Sequence, residues 1–241
     1  MRQRLDVELV ARRLVVSRSQ AESWIKLGQV LVDGRVAKKP GLQVTPETPI
    51  QLLAKEQYVS RAGLKLASVA RALSLNFKDA VVLDVGSSTG GFTDFALRHG
   101  AQKVFAVDVG TDQLHPSLRS DRRIELHEKT DIRDFTPSET PGIVVIDVSF
   151  ISLREILGHV ARISGPKTQV VAMVKPQFEA GRHQVNKGVI KNDSVRRSIL
   201  QDFESWVRQY FVIMEKADSE VAGAKGNRER FYLLRREKDL Q

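Results

Sequence analysis

The spacing of apolar and polar residues divides the chain into two parts. The first part, up to about residue 55, opens with apolar residues at helical spacing. One face of this predicted helix carries Leu5, Leu9, Val10 and Leu14. Ser17 stands where an N-cap would begin a second helix, and Gly28 stands where that helix would end. A hairpin with an Asp-Gly turn and a short strand over residues 50–54 complete a predicted α+β domain.

The second part alternates between short apolar strands and amphipathic helices. The predicted strands read AVVLDVG, KVFAVDVG, GIVVIDV and QVVAMVKP, with helical segments such as GGFTDFALRHG and SLREILGHVARI between them. This alternation is typical of a doubly wound, Rossmann-like sheet, which binds ligands at the carboxyl ends of its strands. With a further strand before Asp131, FVIMEKA and RERFYLLRR are expected to complete seven mostly parallel strands. We therefore predict an α/β protein with a small domain (1–55), a linker (56–62) and a Rossmann-like domain (63–241).

Positive charge adds a candidate partner. The chain carries a formal net charge of +9, and its first 40 residues hold nine Lys and Arg against four Asp and Glu. Such an excess favours a polyanion such as nucleic acid, although the same side chains could form an ordinary solvated face. The basic residues that we predict to contact a phosphate backbone are Arg4, Arg12, Arg13, Arg18, Lys26, Arg35, Lys38, Lys39, Arg61, Arg182 and Lys187.

Composition excludes several classes of protein. The chain has no cysteine, so a disulfide scaffold, a thiolate metal site and a cysteine nucleophile are all excluded. Its five histidines show no metal-ligand spacing, and we expect no metal. The charged N-terminus does not resemble a secretion signal, and no apolar run has the length of a membrane span. We expect a cytoplasmic protein.

A glycine-rich loop, DVGSSTGGF over residues 84–92, joins the first strand of the second part to its helix. A phosphate loop would end in Gly-Lys-Ser/Thr, and Phe92 follows Gly91 here. A dinucleotide fingerprint would need a glycine at Ser88. A loop that opens with an acidic residue suits instead a cationic sulfonium ligand without phosphates, held close to the backbone.

Three aspartates at strand ends are predicted to bind this ligand. Asp84 would hold its ammonium group, and Asp108, 22 residues beyond Gly86, its ribose hydroxyls. Asp131 would accept a hydrogen bond from its adenine amino group, or would serve only as a turn former. The predicted ligand-binding residues are Asp84, Gly86, Ser87, Ser88, Thr89, Gly90, Gly91, Phe92, Asp108, Val109, Asp131, Ile132 and Asp147.

Two charged residues end otherwise apolar strands at the ligand-binding edge. Lys175 ends VVAMVK, and Asp147 ends GIVVID. Packing alone seldom places charges at the ends of buried strands. Burial can shift a lysine toward its neutral amine, which is a suitable base for a hydroxyl proton. Lys175 is therefore the principal candidate for acid–base chemistry.

The first part resembles the S4 domain, a small RNA-binding module. The resemblance rests on Ser17, Arg18, Ala21, Ile25, Gly28, Val30, Val32 and Gly34. It covers about 50 residues and implies recognition of folded RNA.

The segments YVSRAGLKL, LDVGSSTGGFTD, VIDVSFISL, MVKPQFEAGR and GNRERF resemble the TlyA, or hemolysin A, family in order and spacing. That family joins an S4 domain to an FtsJ-like methyltransferase domain. The resemblance implies transfer of a methyl group from S-adenosylmethionine to a ribose 2′-hydroxyl of ribosomal RNA, with cytidine as the expected nucleotide. It also implies ribosomal RNA or assembled subunits as partners.

The family resemblance also implies a catalytic tetrad. Its members here are Lys65, Asp147, Lys175 and Glu229, with Lys175 as base or alkoxide stabiliser. Two nearby carboxylates favour the ammonium form of Lys175, whereas Lys65 and the sulfonium favour the neutral amine, so both roles stay open. The chain departs from the usual family pattern at Ala62, Ser87, Asp131, Thr111-Asp112 and His115-Pro116, which affects expected cofactor contacts more than the reaction.

Other functions remain as alternatives. The same fold could methylate transfer RNA or a base nitrogen, although a base methyltransferase has no evident need for the lysine–carboxylate set. A non-catalytic RNA-binding assembly factor is the second alternative, and the intact strand-end charges speak against it. A membrane-lytic protein is the last, because the sequence has no spanning segment and no strongly amphipathic lytic helix.

Overall fold

A computed structural model of the chain describes residues 2–15, 17–26, 28–53, 58–181, 188–190, 192–223 and 226–237. The N-terminal part contains, in chain order, β1 (Gln3–Arg4), α1 (Leu5–Ala11), α2 (Arg18–Lys26), β2 (Val30–Val32), β3 (Arg35–Val36), β4 (Gln43–Val44) and β5 (Ile50–Leu52). β2 pairs antiparallel with both β3 and β5, and β1 pairs with β4. The predicted α+β arrangement is confirmed.

The local signals of this part act as predicted. Ser17 caps α2, since its hydroxyl oxygen accepts a hydrogen bond from the backbone N–H of Gln20 at 3.2 Å. Asp33 and Gly34 have φ values of 50° and 73°, the left-handed conformations that a tight two-residue hairpin turn requires. α1 is shorter than the apolar spacing indicated, and Leu14 packs against the core from beyond the end of this helix.

Among the predicted phosphate contacts, Arg12 has several partners within its own domain. Its guanidinium forms an ion pair with Glu8 at 2.6 Å and donates to the backbone carbonyls of Thr45, Pro46 and Thr48 at 2.8 to 3.1 Å. These bonds tie the end of α1 to the loop between β4 and β5. Because most of its donors face protein acceptors, the side chain holds the domain together, and a role in binding phosphate stays a prediction.

The C-terminal part is a three-layer structure. Its elements are α3 (Arg61–Ala70), β6 (Val81–Val85), α4 (Gly91–Arg98), β7 (Lys103–Val107), α5 (Pro116–Arg119), β8 (Ile124–His127), a 3₁₀ turn (Ile132–Asp134), β9 (Ile143–Ile146), α6 (Arg154–Ile163), β10 (Gln169–Val174), α7 (Pro176–Glu179), α8 (Asp193–Val207), β11 (Phe211–Asp218) and β12 (Arg230–Arg236).

Seven of these strands form one sheet, in the order β11-β12-β10-β9-β6-β7-β8. β6 to β10 pair in parallel, and β12 lies antiparallel between β10 and β11. The seven-stranded, mostly parallel, Rossmann-like sheet is therefore confirmed. The carboxyl ends of β6, β9 and β10 meet at one edge.

Apolar packing covers both faces of the sheet, which explains why its strands are apolar nearly throughout. Along β6, Val82 belongs to the cluster that includes α3 and α4, and Leu83 to the cluster that includes α6 and α8. The first cluster also includes Leu5 and Leu9, so the N-terminal core continues into the C-terminal one. Between the parts, the side-chain amide of Gln20 donates to the carbonyl of Tyr58 at 2.8 Å.

No helix within the described ranges is long and apolar enough to cross a lipid bilayer.

Candidate active site

The glycine-rich loop is shaped by close contact with the next strand end. Gly86 has a φ of 79°, and a Cβ there would lie 2.8 Å from the carbonyl oxygen of Asp147. Gly90, at a φ of 88°, leads into α4 and packs against Leu114 and Leu118. Both positions need a left-handed backbone without a side chain. The loop thus leaves open space at the ends of β6 and β9.

Two cavities occupy this space and share Gly86, Ser88, Asp147 and Ser149. The smaller one is lined by Ala62, Asp84, Gly86, Ser87, Ser88, Thr89, Phe92, Asp147, Ser149 and Lys175. The larger one is lined by the predicted adenosine-binding residues Asp108, Val109, Asp131 and Ile132 and by Val148 to Ile151, among others. The predicted ligand-binding residues thus surround one continuous site, apart from Gly90 and Gly91, which shape its loop.

Asp84 lies at the buried end of the smaller cavity. One carboxylate oxygen accepts a hydrogen bond from the hydroxyl of Thr93 at 2.6 Å, and the other, Oδ1, has no hydrogen-bond partner among the described residues. Burial raises the pKa of Asp84 to about 7, against the opposing effect of the Thr93 hydrogen bond. The hydroxyl of Ser87 is likewise buried without a described partner. Unsatisfied acceptors in a cavity fit a ligand with a cationic, hydrogen-donating group.

The other two aspartates are held by protein donors. Asp108 accepts hydrogen bonds from the backbone N–H groups of Ser88, at 2.8 Å, and Gly110, at 2.7 Å, which fix its carboxylate beside the larger cavity. Asp131 accepts from both the backbone and the guanidinium of Arg133, which holds the pKa of this carboxyl below its ordinary value. Asp131 therefore caps the 3₁₀ turn, the role that the sequence left open, while it lines the cavity.

The four tetrad candidates form two ion pairs. Nζ of Lys175 lies 2.5 Å from Oδ1 of Asp147, and Nζ of Lys65 lies 2.6 Å from Oε2 of Glu229. Lys65, Lys175 and Glu229 are buried. Val174 pairs with Arg230 across the antiparallel β10–β12 ladder, so Lys175 and Glu229 extend this pairing at the edge of the sheet. Strand direction thus brings Asp147, Lys175 and Glu229 to one edge of the sheet, and the ion pair with Glu229 joins Lys65 of α3 to it.

Three further residues at this edge were not identified from the sequence. Ser149 accepts a hydrogen bond from Nζ of Lys175 at 2.7 Å. Phe150 is 92% exposed beside the larger cavity, with a φ of 67° that is rare for a bulky residue, and its ring lies 5.3 Å from that of Phe178. Glu179 is buried against the loop after β9, which raises its pKa. Ser149 and Phe150 come a few positions after Asp147, and Glu179 comes a few positions after Lys175. This closeness to a strand-end charge is the one signal in the sequence that could have identified them.

The predicted phosphate contacts differ in what surrounds them. Arg4 and Arg18 form ion pairs at 2.9 and 3.0 Å with the buried Asp6, whose pKa is lowered, chiefly by the hydrogen bond from Arg4. Arg61 is half-buried at the start of α3. Arg4 and Arg18 are nevertheless exposed, and the other exposed candidates are Arg13, Lys26, Arg35, Lys38 and Lys39. Arg182 and Lys187 lie outside the described residues.

In the part of the chain that the structure describes, no group of three or more His, Asp or Glu side chains is arranged to hold a metal ion.

Two family models match the chain. A model of FtsJ-like methyltransferases matches residues 58–236, and a model of the S4 domain matches residues 3–50. The first match includes every tetrad and ligand-binding candidate, and the second includes most of the basic candidates.

Individual proteins are similar over nearly the whole chain. TlyA of Mycobacterium tuberculosis, named a 16S/23S rRNA (cytidine-2'-O)-methyltransferase, is 38% identical over 99% of this chain and 91% of its own. Hemolysin A of Brachyspira hyodysenteriae is 36% identical, over 93% and 96%. The solved structure of a candidate hemolysin from Streptococcus thermophilus is 38% identical with a TM-score of 0.74, over 98% and 89%.

Proposed function

Because this chain belongs to the FtsJ-like methyltransferase family and carries an S4 domain before it, we propose that it methylates a ribose 2′-hydroxyl of ribosomal RNA. One observation carries the proposal: Lys175, paired with Asp147, lines the same cavity as the buried carboxylate of Asp84. A proton acceptor and a site for a cationic methyl donor therefore adjoin each other. The names of the relatives suggest cytidine as the nucleotide.

The residues of the two cavities fit S-adenosylmethionine. Asp84, with its unpartnered Oδ1, would bind the methionyl ammonium group, and Ser87 would add a buried hydroxyl. Asp108 would accept hydrogen bonds from the ribose hydroxyls, while Val109 and Ile132 would pack against the adenine ring. The backbone around Asp131 would bind the edge of the adenine, because its own carboxylate is engaged by Arg133.

The tetrad would orient the target hydroxyl and remove its proton. When bound, S-adenosylmethionine would supply a methyl group on a positively charged sulfur and would leave as the neutral thioether. Nζ of Lys175 would take the proton of the 2′-hydroxyl as its oxygen bonds to the methyl carbon. Asp147 stabilises the ammonium that forms. The ion pair between Lys65 and Glu229 adds two further charged groups, which would hold the ribose in position. Burial of these groups strengthens their electrostatic effect.

The N-terminal domain would deliver the RNA. Arg13, Lys26, Arg35, Lys38 and Lys39 expose their charges for phosphate contacts. Beside the larger cavity, the exposed ring of Phe150 offers a surface on which a base of the target strand can stack. In this proposal residues 1–55 bind RNA, residues 56–62 link the domains and residues 63–241 carry the reaction.

The test is transfer of labelled methyl from S-adenosylmethionine to undermodified ribosomal subunits and to their purified RNA. The intact protein is compared with Lys175→Ala and with Lys167→Ala, which removes an exposed lysine away from the site. We expect label at nuclease-resistant 2′-O-methyl linkages with the intact protein and Lys167→Ala, and loss of label with Lys175→Ala. Label on a base would reject the tetrad chemistry. Cofactor binding without label on any RNA would favour the non-catalytic assembly factor.

A further inference from the structure

Ser149 contacts the side chain that the proposed reaction uses as its base. Its hydroxyl oxygen accepts a hydrogen bond from Nζ of Lys175 at 2.7 Å, and the residue lines both cavities. We propose that Ser149 is a positioning residue for methyl transfer, whose hydroxyl orients the Lys175 amine toward the ribose hydroxyl. This inference rests on the proposed function and adds a specific residue to it.

The two oxygens beside Nζ of Lys175 act differently. Oδ1 of Asp147 lies 2.5 Å away as an ion pair, yet this buried oxygen makes no hydrogen bond with a described residue, because the contact lacks hydrogen-bond directionality. An ionic attraction depends little on angle, whereas a hydrogen bond weakens steeply as it bends. Asp147 therefore supplies charge, and Ser149 supplies direction.

Direction matters because a neutral amine has two N–H bonds and only one lone pair. One N–H points to Ser149, and the carboxylate of Asp147 lies on a second side of the amine as its ion-pair partner. The ring of Phe178, whose centroid lies 5.9 Å from Nζ, borders the amine on a further side. The lone pair is then left facing the smaller cavity, which Lys175 lines. Without the serine hydroxyl, the amine can rotate about its Cε–Nζ bond, and its lone pair loses this fixed direction.

The first experiment measures single-turnover methyl transfer at saturating S-adenosylmethionine and RNA. It compares the intact protein with Ser149→Ala, with Ser149→Thr, which keeps a hydroxyl, and with Ser205→Ala, a control on the exposed face of α8. We expect Ser149→Ala to slow transfer by about tenfold while the Kd values for cofactor and RNA stay within about twofold, and Ser149→Thr to restore most of the rate. An unchanged rate in Ser149→Ala would overturn the proposal. Equal loss of rate and cofactor affinity in both variants would reduce Ser149 to a packing residue and also overturn it.

The second experiment asks whether Ser149 acts through Lys175. If it does, Ser149→Ala should cause no further loss in a Lys175→Ala protein, because the group that it orients is gone. A further loss of about tenfold in the double variant would contradict the inference. The result with the intact protein distinguishes failure of the proposed function from failure of the role of Ser149. Absence of ribose label with the intact protein would reject both, whereas normal label with an unaffected Ser149→Ala would reject the role of Ser149 alone.

Discussion

The carboxylate of Glu179 accepts a hydrogen bond from the hydroxyl of Ser152 at 2.6 Å and a second one, at 2.8 Å, from the backbone N–H of Leu153. Glu179 ends α7, which directly follows Lys175, and Ser152 lies in the loop that begins at Asp147. A carboxylate thus joins the loops after β10 and β9. Two sets of contacts therefore fix the distance between Lys175 and Asp147. One is their own ion pair, and the other is the pair of hydrogen bonds that Glu179 accepts from the loop after β9.

Glu179→Ala should weaken both stability and activity. Loss of the carboxylate leaves the Ser152 and Leu153 donors without their partner, and we expect the free energy of unfolding to fall by about 2 kcal/mol. The single-turnover rate should also fall, because the two loops can shift relative to each other. Glu179→Gln is the matched control, since its amide can accept from Leu153 and donate to Ser152. Chemical denaturation and methyl transfer give the two readouts, and equal losses in both variants would contradict this role.

Cofactor affinity should depend on the ionisation of Asp84. Its pKa, raised to about 7 by burial, leaves the carboxyl mostly protonated below neutrality. A cationic ammonium binds the ionised form, so affinity for S-adenosylmethionine should rise by about tenfold between about pH 6 and about pH 8, and then level off. Thr93→Val removes a hydrogen bond that favours the ionised form and should move this rise to higher pH. Calorimetric titration over the pH range tests this, and Asp84→Asn should remove the pH dependence.

The same carboxyl predicts how the stability of the ligand-free protein depends on pH. The folded pKa of Asp84 lies above its ordinary value, so between the two values the folded state binds more protons than the unfolded state. Stability from this group is therefore full below the ordinary pKa of 3.8 and declines as pH rises through about 7. In Asp84→Asn, thermal unfolding measured against pH should lack this decline. An unchanged pH dependence in the variant would show that other groups cause it.

Gly86→Ala should weaken cofactor binding. The added Cβ would meet the Asp147 carbonyl at 2.8 Å on a backbone with a φ of 79°. Gly34→Ala is the matched control, because Gly34 has a similar φ of 73° but a Cβ there would meet no atom within 4 Å. Both variants bear a backbone strain of about 1 kcal/mol, but only Gly86→Ala should lose more stability and at least about tenfold in cofactor affinity. Equal cofactor affinity in the two variants would contradict a steric clash between the added Cβ and the carbonyl of Asp147.

Two adjacent arginines should have separable roles. Arg12→Gln removes bonds to Glu8 and to three backbone carbonyls, so we expect the free energy of unfolding to fall by about 2 kcal/mol. Arg13 is exposed, and Arg13→Gln should leave stability unchanged while RNA affinity and its salt dependence decrease, by about one unit of slope. Thermal unfolding and RNA binding at several salt concentrations distinguish them. The reverse pattern would assign the phosphate contact to Arg12.

The sheet and its ligand-binding edge could be predicted because they depend on local pattern. β6, β7, β9 and β10 are buried on both faces, which makes each a short apolar run bounded by polar residues. Asp84, Asp147 and Lys175 are visible because a charge at the end of such a run is out of place in a core. Their convergence follows from the common direction of parallel strands.

Other features depend on contacts between distant segments, which no local pattern records. Lys65 lies within α3, and Glu229 lies in a loop, so only the family resemblance could join them as a pair. Arg12 and Arg13 are equivalent as charges in the sequence. Carbonyl groups of the loop between β4 and β5 accept hydrogen bonds from Arg12, whereas Arg13 is exposed. Glu179 reads as an ordinary surface charge until the neighbouring loop covers it. Burial, and not residue type, decides these roles.

The reversed direction of β12 also affects when the site can form during synthesis. β12 enters the sheet between β10 and β11, so the sheet reaches its final order only after the chain has passed residue 236. Glu229, the partner of Lys65, arrives with it. A nascent chain on the ribosome therefore carries its S4 domain long before it carries all four tetrad candidates. If its substrate is ribosomal RNA, as proposed above, the protein would stay inactive toward the ribosome that makes it until β12 has been inserted.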